Sequence, residues 1–93
     1  MREVKPKHRY LADLKRAKKR GCDMTVLKEV VAALAAGERL PARFHDHRLK
    51  GQYKGYRECH ITTHDWLLVY QLTPDGKTLI LVRTGPHAEV FGE

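Results

Sequence analysis

The sequence predicts an α+β fold in which an N-terminal helical hairpin packs on a small sheet. Three observations carry this expectation. Apolar residues recur at helical spacing between residues 7 and 36, short β-branched and aromatic segments take over after residue 55, and Pro74-Asp75-Gly76 separates two of those segments with strong turn chemistry. At 93 residues and 10.7 kDa the chain is expected to form one domain, residues 1–93, around a single core.

The elements follow in order. Arg2 to Lys5 is expected to add a short N-terminal strand. From Lys7 to Arg20, Tyr10, Leu11, Leu14 and Ala17 form an apolar stripe that leaves Lys15, Arg16, Lys18, Lys19 and Arg20 to solvent or the helix end. Gly21 is a natural left-handed stop, and Asp23 can cap the next helix by accepting backbone N–H bonds. That second helix runs from about Met24 to Ala36, with Met24, Leu27, Val31 and Leu34 in one stripe widened by Val30, Ala32, Ala33 and Ala35. A wide apolar face suits packing on a sheet. Pro41, Gly51 and Gly55 mark a loop from about Gly37 to Lys54. Strands are expected at Tyr56–Ile61, Trp66–Thr73 and Thr78–Thr84, the last two as an antiparallel hairpin. The third is expected to be central, because Leu79, Ile80, Leu81 and Val82 are apolar on both faces.

With 42% hydrophobic and 31% charged residues the composition is that of a folded, water-soluble protein. No window approaches the roughly 18 apolar residues of a bilayer crossing, and Arg-Glu-Val-Lys after Met1 has no signal-peptide core behind it, so the expected location is cytoplasmic, with no membrane partner. Cys22 and Cys59 are expected to be reduced, since they cannot build a disulfide framework and match no four-thiolate zinc motif. The 18 Lys and Arg against 11 Asp and Glu leave a net charge of +7, which attracts polyanions and makes nucleic acid the leading partner class over a merely solvated basic surface. Residues 1–40 hold 11 basic and 5 acidic side chains, whereas residues 41–93 hold 7 and 6, so the excess is N-terminal. Histidine is distributed the other way: His45, His47, His60, His64 and His87 all lie in the second half.

Clustered histidines suit RNA cleavage. Transesterification needs a base for the 2′-OH proton, an acid for the leaving 5′-oxygen and a cation for the phosphorane, but in principle no metal. Histidine titrates near neutrality and can serve as either acid or base. Arg83 at a strand end can offer a forked donor set to phosphate. The competing readings are structural histidines, or a metal held by His45-x-His47 and His60-x3-His64. Lys50-Gly51-Gln52-Tyr53-Lys54-Gly55-Tyr56-Arg57 interleaves cations and aromatics in a way that fits phosphate contact and stacking, although a turn leading into a strand explains it as well. Trp66 and Phe91 can stack on a base or pack in the core.

The stretch Asp46-His47-Arg48-Leu49-Lys50-Gly51, then Tyr53-Lys54-Gly55-Tyr56-Arg57, His60, Asp65-Trp66, and Arg83-Thr84-Gly85 with His87 and Phe91-Gly92 resembles the YafQ group of the RelE/ParE superfamily of type II toxin–antitoxin toxins. The motifs span nearly the whole chain. The resemblance implies a RelE-like fold with a mostly antiparallel sheet, and a ribosome-dependent mRNA endoribonuclease that works without a metal or other cofactor. Carried over residue by residue, it implies catalytic roles for His47, His60, Asp65, Arg83 and His87, with His87 as general acid and either Asp65 or His47 as base. Lys50, Lys54, Arg57, Trp66 and Phe91 are then expected to touch substrate, whereas His45 and His64 have no assured counterpart. The implied partners are the ribosome, mRNA and a cognate antitoxin with an acidic toxin-binding segment, operator DNA being met only through the antitoxin. A ParE-like gyrase poison needs no acid–base set, and a noncatalytic RNA-binding module would survive loss of every histidine. Supercoiling and cleavage assays separate these alternatives.

Overall fold

A computed structural model describes residues 1–62 and 65–92. In chain order it contains β1 (Glu3–Pro6), α1 (His8–Lys19), α2 (Met24–Ala35), β2 (His47–Arg48), β3 (Arg57–His60), β4 (Leu67–Leu72), β5 (Thr78–Gly85) and α3 (His87–Phe91), with 3-10 turns at Ala42–Phe44 and Gly51–Tyr53. The five strands form one sheet in the order β1-β5-β4-β3-β2, antiparallel except where β1 runs parallel to β5. β5 is therefore paired along both edges, as its two apolar faces predict, while β4 holds the middle position.

The helical hairpin forms as expected. Gly21 takes φ +80°, and the Asp23 carboxylate accepts the Thr25 N–H at 2.9 Å. The turn before β5 is closed by Asp75, which accepts the Lys77 N–H at 3.0 Å, with Gly76 at φ +72°. Tyr10, Leu27, Val30 and Leu34 of the helices pack with Cys59, Leu68, Tyr70, Leu79 and Leu81 of the sheet into one buried cluster. Cys22 and Cys59 are free thiols, and burial pushes the Cys59 thiol up to about 12.

The α1 stripe differs from its prediction. Leu11 is 48% exposed, and the buried residues of α1 are Tyr10, Asp13 and Ala17. Asp13 tolerates burial because Arg83 reaches it from β5, with Nε at 2.7 Å from Oδ2 and an Nη at 3.1 Å from Oδ1. The expected loop at 37–54 also holds more structure than its composition suggests: both 3-10 turns and the two-residue strand β2 lie within it. β2 adds to the free edge of β3, with His47 opposite Glu58 and Arg48 opposite Arg57. No helix among the described residues is long and apolar enough to cross a membrane.

Candidate active site

The pleat of β3 sorts its side chains. Successive residues point to opposite faces, so Cys59 enters the core beneath the helices while Glu58 and His60 occupy the other face. His47 joins that face because it stands directly across from Glu58. At the far end of the sheet, β4 and β5 pair Leu67 with Gly85, and the chain turns at Pro86 into α3, whose first residue is His87. This brings His87 to the same place. The ring centroids of His60 lie 5.5 Å from those of His45, 6.5 Å from His47 and 6.2 Å from His87.

Two carboxylates organise the imidazoles. Asp65 Oδ1 accepts both the backbone N–H of His87, at 3.0 Å, and its Nδ1–H, at 2.7 Å. These bonds from the His87 backbone and side chain hold the Asp65 carboxyl below the ordinary carboxylate value, so it is ionised at neutral pH and acts as an acceptor. With Nδ1 committed as donor, Nε2 of His87 is the atom that faces Glu58. Glu58 lies between His47 and His87. Its Oε2 is 3.0 Å from His47 Nε2, its Oε1 is 3.6 Å from His87 Nε2, and the residue is only 5% exposed. Oε1 has no hydrogen-bond partner among the described residues.

His47 meets an acceptor at each nitrogen. Nδ1 is 2.7 Å from the His45 carbonyl, which can only accept, and Nε2 faces the Glu58 carboxylate. Both contacts are satisfied together when the ring or the carboxylate carries the additional proton. His45 supplies this carbonyl from a left-handed backbone conformation, φ +48°, that closes the preceding 3-10 turn. A metal would have to displace one of these two contacts to reach His47. Among the described residues no group of three or more His, Cys, Asp or Glu side chains is placed to hold one. The His60-x3-His64 spacing cannot be followed further, since His64 lies outside the described residues.

The remaining predicted site residues fall into three settings. Lys50, Lys54 and Arg57 line a common cavity of about 650 Å³ with Arg48 and Tyr56. Within it, Arg57 Nε already contacts Asp46 Oδ1 at 3.3 Å and the Tyr70 hydroxyl at 3.2 Å. Phe91 is half-buried beside His87, with centroids 5.9 Å apart, and meets Tyr53 edge-on at 4.9 Å. Trp66 sits in the core, 8% exposed, and donates its Nε1–H to Thr84 Oγ1 at 2.9 Å; too little of the ring is open for a base to stack on.

Arg83 departs from the role its strand-end position suggests. Besides the two bonds to Asp13, it donates to the Glu89 carbonyl at 3.1 Å and the Val90 carbonyl at 3.5 Å, and its side chain is 12% exposed. The guanidinium therefore ties α1, β5 and α3 together instead of presenting an open fork to phosphate. Sequence reasoning missed Glu58 and Asp13. Strand alternation places Glu58 on the face of His60, a signal present once β3 is assigned, but Asp13 carries no local mark of its partner 70 residues away.

A family model described as bacterial toxin of type II toxin-antitoxin system, YafQ, matches residues 2–92. The mRNA interferase toxin YafQ of Escherichia coli strain K12 is 42% identical over 92 residues, covering 98% of this chain and 97% of that one. The toxin in the crystal structure of the E. coli DinJ-YafQ toxin-antitoxin complex is 42% identical, with a TM-score of 0.86 over 98% of each chain. A metal-bound toxin from Helicobacter pylori is also 42% identical, with a TM-score of 0.89 over 98% of this chain and all of that one.

Proposed function

This chain belongs to the YafQ family of bacterial toxins from type II toxin–antitoxin systems, and from that premise we propose how it acts as an mRNA interferase, an endoribonuclease that cuts mRNA on the ribosome by 2′-OH attack. One observation carries the mechanism: Asp65 holds the His87 backbone N–H and Nδ1–H on one oxygen and so leaves Nε2, beside Glu58, as the nitrogen that can meet substrate.

His87 Nε2–H is the general acid. It gives its proton to the 5′-oxygen as the P–O5′ bond breaks, and the Asp65 carboxylate stabilises the imidazolium that precedes this transfer. His60 is the general base. Its ring lies 6.5 Å from that of His47 and 6.2 Å from that of His87, and no hydrogen bond among the described residues occupies it, which suits a group that takes the 2′-OH proton. The O2′–P bond forms as that proton leaves, giving a 2′,3′-cyclic phosphate on one fragment and a 5′-hydroxyl on the other. His47, held between the His45 carbonyl and Glu58, supplies positive charge to the phosphorane when protonated. Asp65 is thereby a positioning group, and its depressed pKa makes it the poorer base. Arg83 braces the helix that carries His87 and Phe91. Lys50, Lys54 and Arg57 contact the mRNA backbone beside the cleaved bond, and Phe91 contacts a base. Trp66 holds this region from within the core through Thr84.

The exposed Lys15, Lys18 and Lys19 of α1 favour docking on ribosomal RNA, and by the same charge capture by an acidic segment of a cognate antitoxin. Operator DNA is met only through that antitoxin. Primer extension on a translated mRNA, with the same transcript incubated without ribosomes and product ends analysed chemically, tests this reading. Ribosome-dependent cuts ending in cyclic phosphate are expected, and the transcript incubated without ribosomes should stay intact. Supercoiling inhibition without RNA cleavage would overturn it in favour of a gyrase poison.

A further inference from the structure

A cavity of about 580 Å³ opens where the histidine cluster ends, bounded by α3, the Gly51–Tyr53 turn, β5 and the start of α1. We propose that it seats the nucleotide on the 3′ side of the cleaved bond, with its base against Tyr53 and Phe91 and its following phosphate on Lys7 and Arg9. This rests on the reading of His87 as general acid.

The direction follows from chemistry. The leaving 5′-oxygen belongs to the 3′ nucleotide, so the sugar of that nucleotide lies beside His87. From His87 the rings continue to Phe91 at 5.9 Å and then to Tyr53 at 4.9 Å, and both aromatics line the cavity. Val69 and Val82 supply an apolar surface behind them. A site of this volume, with aromatic walls and a cationic rim, matches a base carrying a phosphate, because every base offers a π-face and the backbone a charge.

The charges sort the cations. Arg83 faces the cavity but is paired with Asp13, and the cavity carboxylate of Glu89 is engaged by Arg20. Lys7 and Arg9 are exposed, lie outside every ion pair among the described residues, and are left for phosphate. The backbone N–H of Lys7 donates to the Leu81 carbonyl at 2.8 Å, which pins this rim to the sheet. His8 shares the rim.

The test pairs protein and substrate changes in single-turnover cleavage of ribosome-bound mRNA. The variants are Tyr53→Ala, Tyr53→Phe and the double substitution Lys7→Ala with Arg9→Ala, and the transcript carries a base-free ribose on the 3′ side of the cut. Base–aromatic stacking corresponds to about 5- to 150-fold per base, so Tyr53→Ala or the base-free substrate should each lower kcat/KM by roughly 10-fold, mainly through KM. Applied together they should lose no more than the base-free substrate alone, since that substrate already lacks the contact to Tyr53. Tyr53→Phe, which keeps the ring, should recover most of the cleavage lost in Tyr53→Ala. The double rim variant should raise KM on both substrates and flatten the salt dependence. Because both rim residues are exposed, that arm decides the matter even if Tyr53→Ala melts early. Multiplying losses from Tyr53→Ala and the base-free ribose, or rim variants with unchanged KM, would overturn the subsite. A wild-type protein that cuts no mRNA would instead refute the function on which the subsite rests.

Discussion

Replacing Asp13 by Asn should destabilise the domain by about 3 kcal/mol. The substitution keeps the shape of the side chain but removes its charge and the acceptor that receives Arg83 Nε, at 2.7 Å, and the Thr84 N–H, at 3.1 Å. Removing one partner of a buried pair costs about 3–5 kcal/mol, because the other is left uncompensated. The lower end applies here, since Arg83 keeps two carbonyl acceptors and 12% side-chain exposure. For a domain of this size the loss should lower Tm by about 12–24 °C at pH 7, read by circular dichroism. pH gives an internal control. Burial raises the Asp13 pKa, but hydrogen bonds from Arg83, the Thr84 N–H and Arg16 together outweigh it and hold the carboxyl below its ordinary 3.8. A depressed folded-state pKa contributes stability above pH 3.8 that is lost as pH falls through the depressed value. The difference between wild type and variant should therefore persist at pH 5 and shrink in more acidic buffer. A variant melting within about 2 °C of wild type, or a gap that stays constant on acidification, would show that the pair does not anchor β5 to α1.

Asp65→Asn should leave the melting temperature near wild type, since the residue is exposed, while lowering kcat for mRNA cleavage by about 10²-fold or more through loss of His87 orientation; equal loss of Tm and activity would refute a positioning role. Tyr70→Phe removes a hydroxyl that donates to Asp46 at 2.6 Å, and should cost about 2 kcal/mol in a denaturant titration with cleavage per folded molecule unchanged. Trp66→Ala should cost about 3–5 kcal/mol, and its cleavage measured per folded molecule should stay near wild type, which a ring that stacks on substrate would not allow.

The fold was legible wherever one element carries a repeating pattern. α1, α2 and the β4–β5 hairpin were found because their apolar periods and turn residues act locally. β2 and α3 were not, because two residues and five residues are too short for a period to register. β2 exists because the edge of β3 pairs with it, and α3 because Arg83 and the β5 terminus hold it. Leu11 and Asp13 exchange roles for a related reason: on a helical wheel both border the apolar stripe, and the choice between them depends on an arginine brought near only by the finished fold. In the site, the histidines were visible by type and order, but their grouping rests on the pleat of β3. Glu58, lying between His47 and His87, looked like any charged strand residue until that pleat assigned its face.

The central claim is that His87 protonates the leaving 5′-oxygen while His60 takes the 2′-OH proton. An mRNA with sulfur in place of the bridging 5′-oxygen at the cut site tests it most directly, because a thiolate departs without needing a proton. On the ordinary substrate His87→Ala and His60→Gln should each cost about 10²- to 10⁴-fold. On the sulfur substrate His87→Ala should cleave at nearly the wild-type rate, whereas His60→Gln should remain slow. If sulfur rescues His60→Gln and leaves His87→Ala inactive, the two roles are reversed and the proposed mechanism is contradicted.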